Sequence, residues 1–295
     1  MNNEPFPLDR LQDIQANPAR FRLLEQVPVT RADATFPVVL AAPVGDEVQL
    51  QILDLETTGL DAHTDTIIEL GLVTLRVSPS TGQVTEILSV LSQYEDPGFP
   101  IPEFITQITG ITDAMVSGQR IDDALLADEL AGDGILVAHN SQFDRGFFER
   151  RFLQHAGRRW ACSIRGVDWR GLGLESSKLE YLLLKNGYFY AGHRAETDCL
   201  AVAWLMHCRP AAVKQLLVSE ATLQYAIRAL GAPFEVKDSL SARGYRWKPE
   251  VYGKAWRIVI NEDQLPEEKA FLGALYHHGD QRSEITPMTS RDRFL

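Results

Sequence analysis

ILDLETTGL, residues 52–60, has the composition of a buried strand with an anomaly inside it. Ile52, Leu53 and Leu55 are apolar, yet Asp54 and Glu56 stand two positions apart. On a strand, residues i and i+2 face the same way, so both carboxylates project from one face. Two ionised carboxylates side by side in a partly buried place repel one another. The repulsion is relieved by a raised pKa or by bound cations. TTGL follows, with Gly59 available for a turn, which puts the pair near a strand end at the edge of a cleft. Hard divalent cations favour such oxygen ligands. Isolated D-x-E pairs are common on solvated strands, so the motif gains weight only if other acids converge on it.

Two further stretches supply them. AHNSQFDRGF carries Asp144 in the first turns of a helix that follows the short apolar strand GILVAHN, with Asn140 or Ser141 as candidate caps. There a carboxylate is also favoured by the helix dipole, so capping alone would explain it. GHRAETDCLAV holds His193 in a loop after Gly192, and Asp198 about one turn into the next helix.

Taken together, D-L-E-T-T-G-L at Asp54 to Leu60, H-N-S-Q-F-D at His139 to Asp144 and H-x4-D at His193 to Asp198 resemble the DEDDh family of 3′–5′ exonucleases. That group includes the proofreading epsilon subunit of bacterial DNA polymerase III and ribonuclease T. The intervening ITGITDAMV resembles the family's substrate-contacting loop and helix. Each motif is weak alone, and the three in order are strong. The resemblance covers residues 49 to about 208. It implies a ribonuclease-H-like fold with a five-stranded mixed sheet flanked by helices. It also implies that Asp54, Glu56, Asp144 and Asp198 hold two Mg²⁺ or Mn²⁺ ions and that His193 is the general base. Thr57, Gly59 and Leu60 would border the terminal nucleotide, with His139, Asn140 and Phe143 in the wall of the site. Two ions roughly 4 Å apart suit an in-line phosphoryl displacement, and an imidazole can take the water's proton near neutral pH.

Outward from the motifs, strands alternate with helices in the middle of the chain, which makes the class α/β. TIIELGLVTLRV and VTEILSVLSQY read as strands joined by a SPSTGQ hairpin turn. RIDDALLADEL, SQFDRGFFERRFLQHAG, SSKLEYLLLKNGYFY and HRAETDCLAVAWLMHC read as helices, the last stopped by Pro210. Three domains are expected: an N-terminal extension 1–48, the exonuclease domain 49–210, and a small α+β module 211–295. The extension begins with short helices broken near Pro18, and FPVVLAAP is a candidate strand; it is expected to pack on the sheet or to form a dimer contact. The module is expected to hold a helix at EATLQYAIRAL, a basic aromatic stretch, and a last helix at EEKAFLGALYHH.

The 295 residues carry a net charge of −11, against a general nucleic-acid coating protein but not against an enzyme whose acids bind metal. Three cysteines without zinc-like spacing, no targeting segment and no apolar run of transmembrane length point to a cytoplasmic chain with reduced thiols and no membrane partner. From Lys237 to Arg257 six basic residues and two acids interleave with Tyr245, Trp247, Tyr252 and Trp256. That pattern suits a single nucleic-acid strand, but a packed hairpin with cations on its wet face accounts for it at least as well. The module is a candidate dock for DNA or for a polymerase or repair partner. Arg150, Arg151, Arg158 and Arg159 read as a solvated helix end. The expected activity is removal of nucleoside 5′-monophosphates from the 3′ end of single-stranded DNA, in proofreading or repair. Its rivals are an RNA-trimming exoribonuclease of the same fold, since the 2′-OH contacts are not readable from one sequence, and a non-catalytic nucleic-acid- or polymerase-binding module.

Overall fold

The computed structural model describes residues 8–249 and 253–294. Two compact units form: the first runs to Ser219 and takes back Phe294, and the second is Glu220–Arg293.

In the first unit, α1 (Leu11–Ala16) leads to the two-residue strands β1 (Glu25–Gln26) and β2 (Val38–Val39). The long strands β3 (Val48–Thr57), β4 (Ile67–Val77) and β5 (Val84–Tyr94) make an antiparallel meander. The short helices α2 (Glu103–Thr109), α3 (Asp113–Val116) and α4 (Asp123–Glu129) carry the chain to β6 (Ile135–Ala138). After it come α5 (Ser141–Arg151), β7 (Trp160–Cys162), α6 (Leu179–Lys185), β8 (Tyr188–Phe189), α7 (Ala195–Cys208) and α8 (Pro210–Ala221). The sheet order is β2-β5-β4-β3-β6-β7, with β6 and β7 parallel to β3. It has six strands, not the expected five. The additional edge is Val38–Val39, which pairs with Ile87 and Glu86. The prolines flanking it, Pro37 and Pro43, suit a short sheet edge, where a missing N–H costs no ladder bond.

Both faces of the sheet are covered, which is why β4 is buried along nearly its whole length. One core joins Leu50, Ile52, Val73 and Leu75 to Leu182, Cys199, Val202, Leu205 and Leu216 of the last three helices. The other joins Leu53, Leu55, Leu70 and Leu72 to Phe147, Phe148, Phe152 and Trp160. Alternation along β3 therefore assigns Leu50 and Ile52, then Asp54 and Glu56, to the α7 side. The helix comes very close to the sheet there. A Cβ built on Gly71 would lie 2.4 Å from the Ala195 carbonyl carbon. Gly71→Ala should thus push α7 off β4 and cost about 1–3 kcal/mol. Thermal melting checks this, and an unchanged melting temperature would show that the close approach is not required.

Pro210 ends α7 by opening α8, as its fixed φ allows at a first helical position. Residues 220–230, expected as a helix, instead contain a strand, β9 (Gln224–Ala229). Tyr225, Ile227 and Ala229 alternate into the core of the second unit, so period two overrides the helix-favouring composition. That unit is an antiparallel sheet in the order β10 (Arg246–Trp247), β11 (Trp256–Asn261), β9, β12 (Glu284–Met288). Helices Lys237–Arg243 and Leu265–Leu275 supply Leu240 and Leu272 to its core. Tyr245 is fully buried there, Trp256 packs against the core, and Trp247 beside it is 46% exposed. Tyr252 lies outside the described residues. Among the described residues no helix is long and apolar enough to cross a membrane.

Candidate active site

The acids meet at the end of β3. A register shift between Glu56 and Thr57 ends its regular pairing with β4, and such bulges re-aim side chains. Carboxylate oxygens of Asp54, Glu56 and Asp198 all lie within 4.8 Å of one another. Asp144 enters from α5, one turn past the end of the parallel strand β6, and is buried. It is outside that tightest group of three, yet of all neighbouring charges its own raises the Asp54 pKa most. His193 stands exposed in the loop ahead of α7, in a left-handed backbone conformation with φ 68°.

The electrostatics are those of crowded acids. Burial, then the charges of Asp144, Asp198 and Glu56, hold the Asp54 carboxyl far above the ordinary range. Burial and the charges of Asp198 and Glu69 push Glu56 up to about 8, with Arg194 pulling the other way. Burial lifts Asp144 to about 7 against backbone N–H groups, including that of Leu55. Asp198 is raised by burial and held back by the Arg194 N–H (3.1 Å), the Tyr190 hydroxyl (3.1 Å) and His193. Four mutually repelling carboxyls with all-oxygen chemistry fit hard divalent cations, whose charge inverts this local balance.

The other residues named from the resemblance behave differently from one another. Thr57 is buried and donates to the Gly59 carbonyl at 2.6 Å. Gly59 is needed for space rather than for a left-handed turn, because an added Cβ would meet the Asp65 carboxylate at 2.4 Å. Leu60 is 86% exposed. Phe143 packs on Phe147 with ring centroids 5.0 Å apart. Asn140 is exposed and makes no side-chain cap; Ser141 does not cap either but ties β6 to β7 through the Ala138 and Ala161 carbonyls. His139 has both ring nitrogens engaged, by the Ser163 hydroxyl and the Ser177 carbonyl, each at 2.7 Å. A carbonyl only accepts, so Nε2 carries the proton, and burial draws the ring's pKa down to about 4. His139 is thus a neutral tie between the end of β6 and the segments that carry Ser163 and Ser177.

Several contributors were not singled out from sequence. Glu69, Arg194, Tyr94 and Tyr190 all border the acids. Glu69 had a signal: a carboxylate inside the apolar run IIELGLV is the same anomaly as Asp54. The N-terminal block also reaches this loop. β1 pairs with β8 just before Tyr190, and Arg31 meets Glu196 at 3.4 Å just after it. The basic cluster is engaged structurally: Arg150 donates to the Ala62 carbonyl, Arg151 to Glu95 and Asp123, Arg158 to Gln51 and Arg159 to Asp133.

The family match places this two-faced mixed sheet, with acids gathered at its strand ends, in the nuclease class of hydrolases. The chain belongs to the Exonuclease family (RNase T), whose sequence model matches residues 52–206. It is similar to the PolC-type DNA polymerase III of Listeria welshimeri, 35% identical over 161 residues, which are 52% of this chain and 11% of that protein. With the PolC-type DNA polymerase III of Clostridium perfringens it shares 39% identity over 104 residues, 35% of this chain and 7% of that protein. The chain thus spans about a tenth of the length of these curated relatives. Among solved structures it is similar to exonuclease X in complex with 5′ overhanging duplex DNA, at 24% identity and a TM-score of 0.43, covering 58% of this chain and 99% of that one.

Proposed function

We propose that the chain is a DEDDh-type 3′–5′ exonuclease, dependent on Mg²⁺ or Mn²⁺, that releases nucleoside 5′-monophosphates from the 3′ end of single-stranded DNA. The observation that carries this reading is the convergence of Asp54, Glu56 and Asp198 within 4.8 Å, with Asp144 and His193 beside them. The four carboxylates would hold two ions, which when bound supply Lewis-acid activation of water and charge stabilisation at the leaving oxygen. His193 is the group free to take the water's proton: it is exposed, and its backbone is tied to the Asp198 carboxylate. Tyr190 and the Arg194 N–H orient Asp198 by occupying one oxygen each. Leu60 stands out from the turn after β3, where an apolar side chain can meet the terminal base. DNA as the substrate, and a role in proofreading or repair, follow from the likeness to DNA polymerase III relatives. The second unit lies beyond the matched residues, and we assign it to docking DNA or a polymerase or repair partner.

A gel assay on 5′-labelled single strands of DNA and RNA, with Mn²⁺, Mg²⁺ or chelator, tests the proposal. Metal-dependent laddering of DNA from its 3′ end is expected. Faster trimming of RNA would replace the substrate, and no cleavage of either polymer would leave a binding module. His193→Ala should slow hydrolysis by roughly 10²–10⁴-fold and alter the pH–rate profile. An unchanged profile would remove His193 as the base.

A further inference from the structure

Glu69 stands beside the acid site without belonging to its metal-binding set. It lies on β4 directly opposite Glu56 and next to Tyr94 of β5, so the three share one face of the sheet. Its side chain is fully buried (0% exposed), a position that an acid occupies only when its charge and lone pairs are matched. They are matched by one short segment. Arg194 donates to it from Nε at 3.1 Å and from Nη2 at 3.0 Å, and the Ala195 backbone N–H donates at 3.1 Å. Ser92 adds a hydroxyl at 3.3 Å, and Arg194 also reaches the Tyr94 hydroxyl.

The segment so held is the one that carries His193. On its other side the Arg194 N–H and Tyr190 bond to Asp198. Between these anchors His193 adopts a left-handed conformation that costs a non-glycine residue roughly 1 kcal/mol. Such a conformation persists only where its surroundings over-determine it. We infer that the pair of buried Glu69 and half-buried Arg194 is a brace that sets the position of His193 and thereby governs the proton-transfer step; both are positioning residues, and neither is a ligand or a base. The inference rests on the exonuclease reading. Geometry this specific has large leverage, because a misplacement of about 1 Å can cost 10²-fold in rate.

The test uses the full chain and Mn²⁺-dependent hydrolysis of a 5′-labelled DNA single strand. Glu69→Gln, close to the native shape, and Arg194→Gln should each lower kcat by roughly 10–100-fold. KM should stay unchanged; the charges of Glu69 and Arg194 act on Glu56 in opposite senses, so the rates are compared at saturating Mn²⁺. Arg194→Lys, which keeps the charge but not the fork, should recover only part of the rate. In a His193→Ala background neither Gln variant should cost anything further, since both act through the missing imidazole. In metal-free protein the backbone amide NMR signal of His193 should shift in Glu69→Gln while signals from the far end of β3, Val48 to Leu50, stay in place. Losses that multiply in the double variants would overturn the brace. So would rate losses that vanish at saturating Mn²⁺, the mark of a field effect on the metal carboxylates alone. An unshifted His193 signal would overturn it too. An inactive wild type would instead overturn the exonuclease reading, and the brace with it; an active wild type with multiplying losses overturns the brace alone.

Discussion

Asp54→Ala and Asp144→Asn should each lower hydrolysis by roughly a thousandfold or more and leave the fold intact. Asp54 occupies the point where the fields of Asp144, Asp198 and Glu56 overlap, so its loss removes the carboxylate that links the two sides of the site. Asp144 comes not from β3 but from helix α5, which packs on the other face of the sheet. Equal sensitivity at both positions would mean that acids from two cores act on one bound group. The fold should survive because neither carboxyl supports it: Leu50 and Ile52 continue the same strand face into the core without Asp54, and Asp144→Asn keeps a carbonyl to accept from Leu55. Gel assays with purified protein give the rates, and far-ultraviolet circular dichroism gives the fold. Near-wild-type rates in either variant would show that the acids do not form the reaction centre.

What was legible in the sequence depends on whether a residue broke a local pattern. Asp54 and Glu56 stood out because two carboxylates interrupt an apolar strand, and the long strands β3 to β5 were readable because each runs for ten residues or more with turn residues between them. Glu69 breaks its strand in the same way, but its meaning depends on Arg194, 125 residues away, and that pairing exists only once α7 docks at Gly71. The ladder between Glu25–Gln26 and Tyr188–Phe189 could not be seen, since two residues carry no periodicity. In the second unit the misreading of residues 220–230 has a physical cause. A short run of Leu, Ala, Ile and Gln satisfies a helix by propensity and a strand by alternation, and only burial of Ile227 and Ala229 against Leu240 and Leu272 decides between them. The basic aromatic stretch divides in the same way: Tyr245 and Trp256 went to packing and Arg243 to Glu267 and Glu268, while Arg246, Trp247 and Lys248 remain exposed.

Stability should depend on pH and metal in opposite senses across pH 6.5–8.5. Glu56 and Asp144 have folded-state pKa values of about 8 and about 7, above their ordinary values of 4.5 and 3.8. Each therefore binds its proton more tightly in the folded chain, and the stability this gives is lost as pH rises through the folded value. Asp54 and Asp198 are shifted the same way. Below about pH 6.5 an opposing change enters, because buried His139, lowered to about 4, must charge on unfolding. Above that limit the acids act without it. Glu56 and Asp144 alone should cost the metal-free protein roughly 2–3 kcal/mol between pH 6.5 and 8.5, seen as a melting temperature several degrees lower. Divalent cation should reverse the trend, since ligands must be deprotonated to bind and binding strengthens as protons leave. The melting gain from Mg²⁺ or Mn²⁺ should thus be small at pH 6.5 and large at pH 8.5. Glu56→Gln should flatten the metal-free slope more than Asp144→Asn, and both should shrink the metal gain. A metal-free melting temperature that rises with pH would contradict the crowded-acid account. A gain from metal of equal size at both pH values would move the binding site away from these carboxylates.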